Sequence, residues 1–125
     1  MSKITNPYIE PLLKRWQKRL DLSDWSFELQ ETTYVDSDGS WAEVSAHVDL
    51  RSARIRYIRG LSFSETRNVL IHELLHVVHC PVRDMAMDAL KGNEVAIKEF
   101  DRRKEEYICH MERCLEKIHK DKDLK

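Results

Sequence analysis

The chemistry-bearing residues of this chain are concentrated in positions 71–80, which read IHELLHVVHC. The segment contains the motif H-E-x-x-H, in which Glu73 directly follows His72 and His76 lies four residues after His72. On an α-helix, residues four apart lie on the same face, one turn from each other. Two imidazoles in this arrangement bind zinc, and the neighbouring glutamate can take a proton from water. The motif therefore predicts a Zn²⁺ site on a helix, with Glu73 as the general base.

A catalytic zinc site needs a third protein ligand besides the two histidines. The metzincin pattern would place a histidine at position 82, which is Val82 in this chain, so that class is excluded. The remaining source is a carboxylate on a long helix predicted near the C-terminus. The residues alone leave the choice open among its glutamates, which are Glu94, Glu99, Glu105, Glu106 and Glu112.

The segment HELLHVV, followed by EEYICHMERCL at residues 105–115, resembles the small zincin-like metallopeptidases encoded by phages and prophages. These proteins are similar in turn to the gluzincin clan, which includes the SprT-like and ImmA/IrrE-type proteins. In that clan the downstream helix supplies a glutamate ligand, with apolar residues further along the same helix. Glu105 meets this pattern because Met111 and Leu115 follow it. The resemblance thus implies Glu105 as the third zinc ligand, with Glu106 as the alternate.

The resemblance implies a zinc-dependent hydrolase, specifically a peptidase in which water activated by zinc and Glu73 attacks a peptide carbonyl. It also implies that an edge strand near the metal, at residues 41–50 or in the strand that follows, pairs with an extended peptide. His47, Tyr34 and Tyr57 could stabilise the oxyanion, and the sequence selects none of them. The alternative function is a zinc-stabilised binding or regulatory module without general proteolytic activity. A third interpretation is a metal-free protein whose histidines are surface residues.

The elements that would position these residues predict an α+β fold, and the resemblance implies that this fold is a minimal zincin-like domain. Apolar residues at helical spacing predict a first helix from about Pro7 to Leu20. Three segments with strand-like alternation follow, and their short links predict an antiparallel meander. The segments are WSFELQETTY (25–34), WAEVSAHVDL (41–50) and ARIRYIRG (53–60).

The second half of the chain has helical periodicity. Ser62 and Glu65 have the spacing of a capping box, which predicts the start of the buried helix that carries the motif. Pro81 is expected to end that helix, and a short helix is expected near residues 84–90. The last, long helix is predicted from about Asn93 to Lys120, with a frayed tail at about 119–125. On the motif helix, His79 is expected to face the packed side rather than a metal.

Length and charge limit the possible partners. The 125 residues fit one domain spanning 1–125, and the formal net charge of −1 gives no overall attraction to nucleic acid. A local basic cluster is interpreted as a solvated strand face rather than a nucleic-acid patch; its members are Arg51, Arg54, Arg56 and Arg59. No membrane span or signal peptide is evident, and the three cysteines favour reduced thiols in a cytoplasmic protein. The expected partner is a peptide or protein substrate, and no oligomeric state is predicted.

Overall fold

The computed structural model describes residues 4–35 and 39–119 as three helices and three strands. The order along the chain is α1 (Ile9–Arg19), β1 (Ser26–Thr32), β2 (Ala42–His47), β3 (Ser52–Ile58), α2 (Phe63–Ala89) and α3 (Glu94–His119). This confirms an α+β architecture with an N-terminal helix, a small sheet and two long C-terminal helices. The predicted frayed tail lies outside the described residues, except for His119, which ends α3.

The sheet is mixed, and the predicted antiparallel meander is therefore wrong. The strand order is β1-β3-β2, with β2 antiparallel and β1 parallel to β3. Alternating apolar residues show which face of a strand is buried, but they do not say which strands are neighbours. The central strand β3 has three buried side chains, whereas β1 has one and β2 has none; those of β3 are Ala53, Ile55 and Tyr57. Since β3 is central, β2 lies at an edge of the sheet.

The core lies between the inner face of the sheet and the helices. Its largest fully buried side chains include Trp16 of α1, Tyr57 of β3 and Leu70 of α2. The predicted capping box starts α2: the Ser62 hydroxyl accepts from the Glu65 backbone N–H, and the Glu65 carboxylate accepts from the Ser62 N–H. From this start, α2 runs beside β2 and packs against α3. The motif-bearing helix is thereby fixed between the sheet edge and the last helix.

The motif helix α2 is longer than the sequence suggested, whereas α3 has close to the predicted bounds. Pro81 does not end α2, and the separate short helix is not formed, because one continuous helix runs from Phe63 to Ala89. A proline inside a helix costs about 3 kcal/mol, and packing against α3 offsets that cost here. The contacts beyond Pro81 include Arg83, which donates to the Asp101 carboxylate of α3 over 3.1 and 3.3 Å. Despite their length, none of the helices in the described ranges is apolar enough to cross a membrane.

A buried carboxylate attaches the N-terminal segment to the sheet. Glu31 of β1 accepts hydrogen bonds from the Thr5 N–H and hydroxyl, from the Asn6 N–H and from the Tyr57 hydroxyl. Burial alone would raise the pKa of Glu31, but these donors outweigh it and the pKa is lowered. The Asn6 amide also donates to the Thr66 hydroxyl of α2 over 2.9 Å. The segment before α1 therefore joins the sheet to the start of the motif helix.

The basic cluster is neutralised locally by carboxylates. Arg51 pairs with Asp24, Arg54 with Glu28 and Arg56 with Glu43, while the Arg59 guanidinium lies 3.7 Å from Glu31. Each arginine of the cluster thus has an acidic neighbour, which agrees with a solvated strand face. The expectation that nucleic acid is not a partner stays a prediction.

Candidate metal centre

His72 and His76 lie one turn apart on α2 and face α3, where Glu105 is opposite them. The Glu105 carboxylate reaches both rings: Oε1 lies 2.9 Å from His72 Nε2, and Oε2 lies 3.4 Å from His76 Nε2. One donor atom from each residue lies within 4.8 Å of the other two. These three side chains form a group that could hold a metal ion.

The donor set and its spacing fit zinc. Two imidazole nitrogens and one carboxylate oxygen are common ligands of catalytic zinc, which keeps a fourth position for water or substrate. Ligands bonded at about 2.1 Å in a tetrahedron lie about 3.4 Å apart. The 3.4 Å between His76 Nε2 and Glu105 Oε2 equals that separation, whereas the 2.9 Å between His72 Nε2 and Glu105 Oε1 is a hydrogen-bond distance.

The alternate third ligand, Glu106, does not approach the histidines. It is one residue further along α3 and therefore rotated by about 100°, where its carboxylate pairs with Arg102. Glu99, another candidate, is held by Arg102 and Arg103 at 2.5 and 2.8 Å. Of the two alternatives suggested by the resemblance, the structure brings Glu105 to the histidines.

A second α3 carboxylate fixes the ring of His72. The Nδ1–H of His72 donates to Glu112 Oε1 over 2.8 Å, while Nε2 faces Glu105. Since both ring nitrogens face carboxylates, the metal-free ring carries a proton on each. The hydrogen bond to Glu112 is the main reason that the pKa of His72 is raised to about 9. Glu112 was one of several candidate ligands in the sequence, but its contact with His72 Nδ1 was not foreseen.

His76 has the opposite electrostatic environment. The effect of burial is larger than the attraction of the Glu105 carboxylate for the charged ring, and the pKa of His76 is lowered to about 4. At neutral pH the ring is therefore uncharged, which is the form that binds a metal. The two histidines of the motif thus differ in protonation before any metal binds, because the hydrogen bond to Glu112 dominates at His72 and burial dominates at His76.

Glu73 is a buried carboxylate beside the two histidines, with only 7% of its surface exposed. Burial raises its pKa to about 7; the charge of His72 opposes this, and the carboxylates of Glu105 and Glu112 add to it. Within residues 4–35 and 39–119, no hydrogen bond reaches the Glu73 carboxylate. A carboxylate with a pKa near neutrality suits a general base, because it can both accept and return a proton.

The histidines and Glu73 border a cleft of about 540 Å³ between α2, α3 and the edge strand β2. Ala42, Val44 and Ala46 of β2 line one wall. Two cations that the sequence analysis did not single out, Arg83 and Lys104, line the opposite side. Both lie near the Asp101 carboxylate, at 3.1 and 3.6 Å. The cleft therefore has a strand wall with three apolar side chains and a helical wall of mixed charge.

The three candidates for oxyanion stabilisation do not line this cleft. Tyr57 is buried and donates to Glu31 over 3.3 Å. His47 borders a different depression together with Phe27 and Arg54, and Tyr34 is exposed elsewhere on the surface. His79 also stays outside the donor group, since its ring lies against Phe100 and Tyr107 of α3.

No family model, curated protein or solved structure matches the chain. The resemblance based on HELLHVV and EEYICHMERCL therefore stays a prediction. The observations that bear on function are the positions, burial and protonation of the residues around His72, Glu73 and His76.

Proposed function

We propose that this protein is a zinc-dependent peptidase of the gluzincin type. One observation carries the proposal: three donor atoms from His72, His76 and Glu105 lie within 4.8 Å of one another, next to the buried carboxylate of Glu73. A structural metal site would not require an acid without a hydrogen-bonding partner beside it. Burying such a group is costly, so its presence in the cleft favours a role in proton transfer.

The chain's own residues divide the work of hydrolysis. A bound zinc ion would supply a Lewis acid that makes water acidic enough to lose a proton near neutral pH. Glu73 accepts that proton and returns it to the amine that leaves when the peptide bond breaks. Glu112 holds the His72 ring through Nδ1, which keeps Nε2 directed towards Glu105 and His76. An acid in this position also makes the imidazole a stronger ligand.

The substrate expected from this geometry is an extended peptide beside β2. The central strand β3 has neighbours on both sides, so of the two strands suggested from the sequence only β2 has an edge without a neighbouring strand in the described sheet. Ala42, Val44 and Ala46 of that strand line the same cleft as Glu73. A peptide that adds to this edge would form main-chain hydrogen bonds irrespective of its sequence and would pass Glu73 with its backbone.

The metal content of variants tests the ligand assignment. Protein purified without added zinc should contain about one zinc per chain, the content of a single closed site. His72→Ala, His76→Ala and Glu105→Gln should lose the metal while circular dichroism shows a folded chain. Glu106→Gln is the matched control and should retain it. A zinc site of the expected affinity should keep its metal during purification. A wild-type protein with less than about half an equivalent of zinc per chain would therefore contradict the proposal.

Glu73→Gln separates catalysis from metal binding. The variant should keep its zinc and lose peptide hydrolysis by a factor of about 10² to 10⁴, the usual contribution of a general base. If the metal-loaded wild type cleaves no peptide, or if Glu73→Gln cleaves as fast as the wild type, the peptidase assignment is wrong. A zinc-stabilised binding module would then be the better description.

A further inference from the structure

A second depression, of about 350 Å³, lies on the other side of His72 from the main cleft. Its walls come from the start of β2, from α2 and from α3, and include Trp41, Asn68, Val69, Glu73 and Glu112. The two depressions share Ser40, Ala42, His72 and Glu73. A peptide that follows the β2 edge past Glu73 would therefore contact both.

The second depression combines an aromatic surface with negative charge. Trp41 is 47% exposed, whereas the other two tryptophans, Trp16 and Trp25, are buried. Glu73 and Glu112 contribute carboxylates, and His72 contributes an imidazole that donates to Glu112; neither lysine nor arginine is among the residues that line the depression. An exposed indole beside carboxylates attracts a cation through the ring face and through charge.

The main cleft differs in this respect. Two cations, Arg83 and Lys104, line it together with four acids, which are Glu43, Glu73, Asp84 and Glu105. Charges of both signs there give little discrimination between acidic and basic side chains. Electrostatic selection should therefore occur mainly at the depression beside Trp41.

The direction of β2 sets which part of a substrate reaches Trp41. β2 runs from Ala42, which follows Trp41 and lines both depressions, to Ala46, which lines only the main cleft. Antiparallel strand pairs are two to three times as common as parallel ones, so we take the peptide to add antiparallel to β2. It then runs the other way, and the residue beside Trp41 lies C-terminal to those beside Ala46. Glu73 is shared by the two depressions, which places the bond to be cut between them.

We propose that the depression beside Trp41 is a substrate subsite for a lysine or arginine side chain immediately C-terminal to the cleaved bond. This inference rests on the proposed peptidase function. An acidic side chain would be repelled by Glu73 and Glu112. An aliphatic side chain could lie on the indole but would desolvate the Glu73 carboxylate without giving it a partner.

Cleavage of matched peptides tests the preference. Peptides that differ only at the residue after the cut, with lysine, norleucine or glutamate, should be cleaved with kcat/KM decreasing in that order. The lysine peptide should exceed the norleucine peptide by about tenfold, the size expected for a cation–π contact with a partly exposed ion pair. Equal values, or a preference for norleucine or glutamate, would overturn the proposal.

Variants locate the preference. Trp41→Ala should reduce the lysine-to-norleucine ratio to about threefold or less, and Trp41→Phe should retain most of it, since phenylalanine keeps an aromatic face. Leu50→Ala is the matched control, because Leu50 is an exposed apolar residue in the turn that follows β2, and it should leave the ratio unchanged. A ratio that survives in Trp41→Ala would show that another residue selects the substrate.

A binding measurement distinguishes failure of the subsite from failure of the peptidase function. Because Trp16 and Trp25 are buried, quenching of fluorescence by acrylamide reports mainly on Trp41. The zinc-loaded protein is titrated with acetylated pentapeptides that carry a central lysine, norleucine or glutamate. Stronger protection of Trp41 by the lysine peptide supports the subsite, even if no peptide is cleaved and the peptidase function fails. Equal protection, or none, overturns the subsite even if the protein proves to be a peptidase.

Discussion

Replacing Glu112 by glutamine should change the zinc affinity of the centre in a manner that depends on pH. Glutamine retains an oxygen that can accept the hydrogen bond from His72 Nδ1, but it removes the negative charge. In the wild type that charge has two opposing effects on metal binding. It orients His72 and makes the ring a stronger ligand, and it also holds the proton that zinc must displace from Nε2.

The two effects can be compared from the pKa of His72. With a value of about 9, only about 1% of the ring is neutral at pH 7, so the proton weakens zinc binding about 100-fold. Glutamine moves that pKa back towards its ordinary value of 6.5 and removes most of this competition. Loss of the carboxylate partner weakens binding about 10- to 100-fold. The effects nearly cancel at pH 7, and the loss of affinity dominates near pH 9, where the wild-type ring is half neutral.

Zinc titrations against a chelator buffer between pH 6.5 and 9 measure this difference. The affinity ratio of wild type to Glu112→Gln should rise by about tenfold or more across that range. Glu106→Gln, an exposed α3 glutamate paired with Arg102, is the matched control and should follow the wild type. Calorimetry at pH 8 gives a second readout, because the wild type should release about one proton per zinc and Glu112→Gln fewer. A ratio that is constant or falls with pH would refute the role assigned to Glu112.

The metal-free protein offers three further tests, each by urea or thermal unfolding. Glu31→Gln should lower the free energy of unfolding by about 2 to 3 kcal/mol, because a charged acceptor of several buried hydrogen bonds is lost, whereas exposed Glu28→Gln should change it by less than about 0.5 kcal/mol. The pKa of Glu31 is lowered on folding. Its contribution to the stability of the fold is therefore present above pH 4.5 and lost as the pH falls through the folded-state pKa. Pro81→Ala should stabilise by about 1 to 3 kcal/mol, since residue 81 regains an N–H for the Val77 carbonyl; a destabilised variant would contradict this. The pKa of His76 falls from 6.5 to about 4 on folding, so its contribution to the free energy of unfolding is present above pH 6.5 and lost as the pH falls through 4. The free energy of unfolding of His76→Gln should therefore depend less on pH between these two values.

Local patterns in the sequence predicted the elements that depend on local physics. The Ser62–Glu65 box begins α2 because both of its hydrogen bonds are made within one turn. The strand faces followed from alternation. The strand order did not, because the central position of β3 depends on how much apolar surface each strand buries against the helices. Pro81 misled for a related reason: its local cost is real, but contacts with α3 that are distant in sequence offset it.

The continuity of α2 through Pro81 also explains how the metal centre is assembled. α2 and α3 form an antiparallel helical hairpin around the turn at Leu90–Asn93, where Gly92 has a φ of 87°. In such a hairpin, residues equally distant from the turn face each other. The pairs His76–Glu105, Arg83–Asp101 and His72–Glu112 are each centred on this turn.

This register is the signal by which Glu112 could have been found from the sequence. With α2 ended at Pro81, α3 has no defined register, and every glutamate on it is an equivalent candidate. With α2 extended to Ala89, a hairpin centred on Gly92 sets position 112 opposite His72 and excludes Glu94 and Glu99, which lie too close to the turn to reach either histidine. The Arg83–Asp101 ion pair lies between the turn and the histidines. It therefore helps to maintain the register that brings Glu105 and Glu112 to the same imidazole.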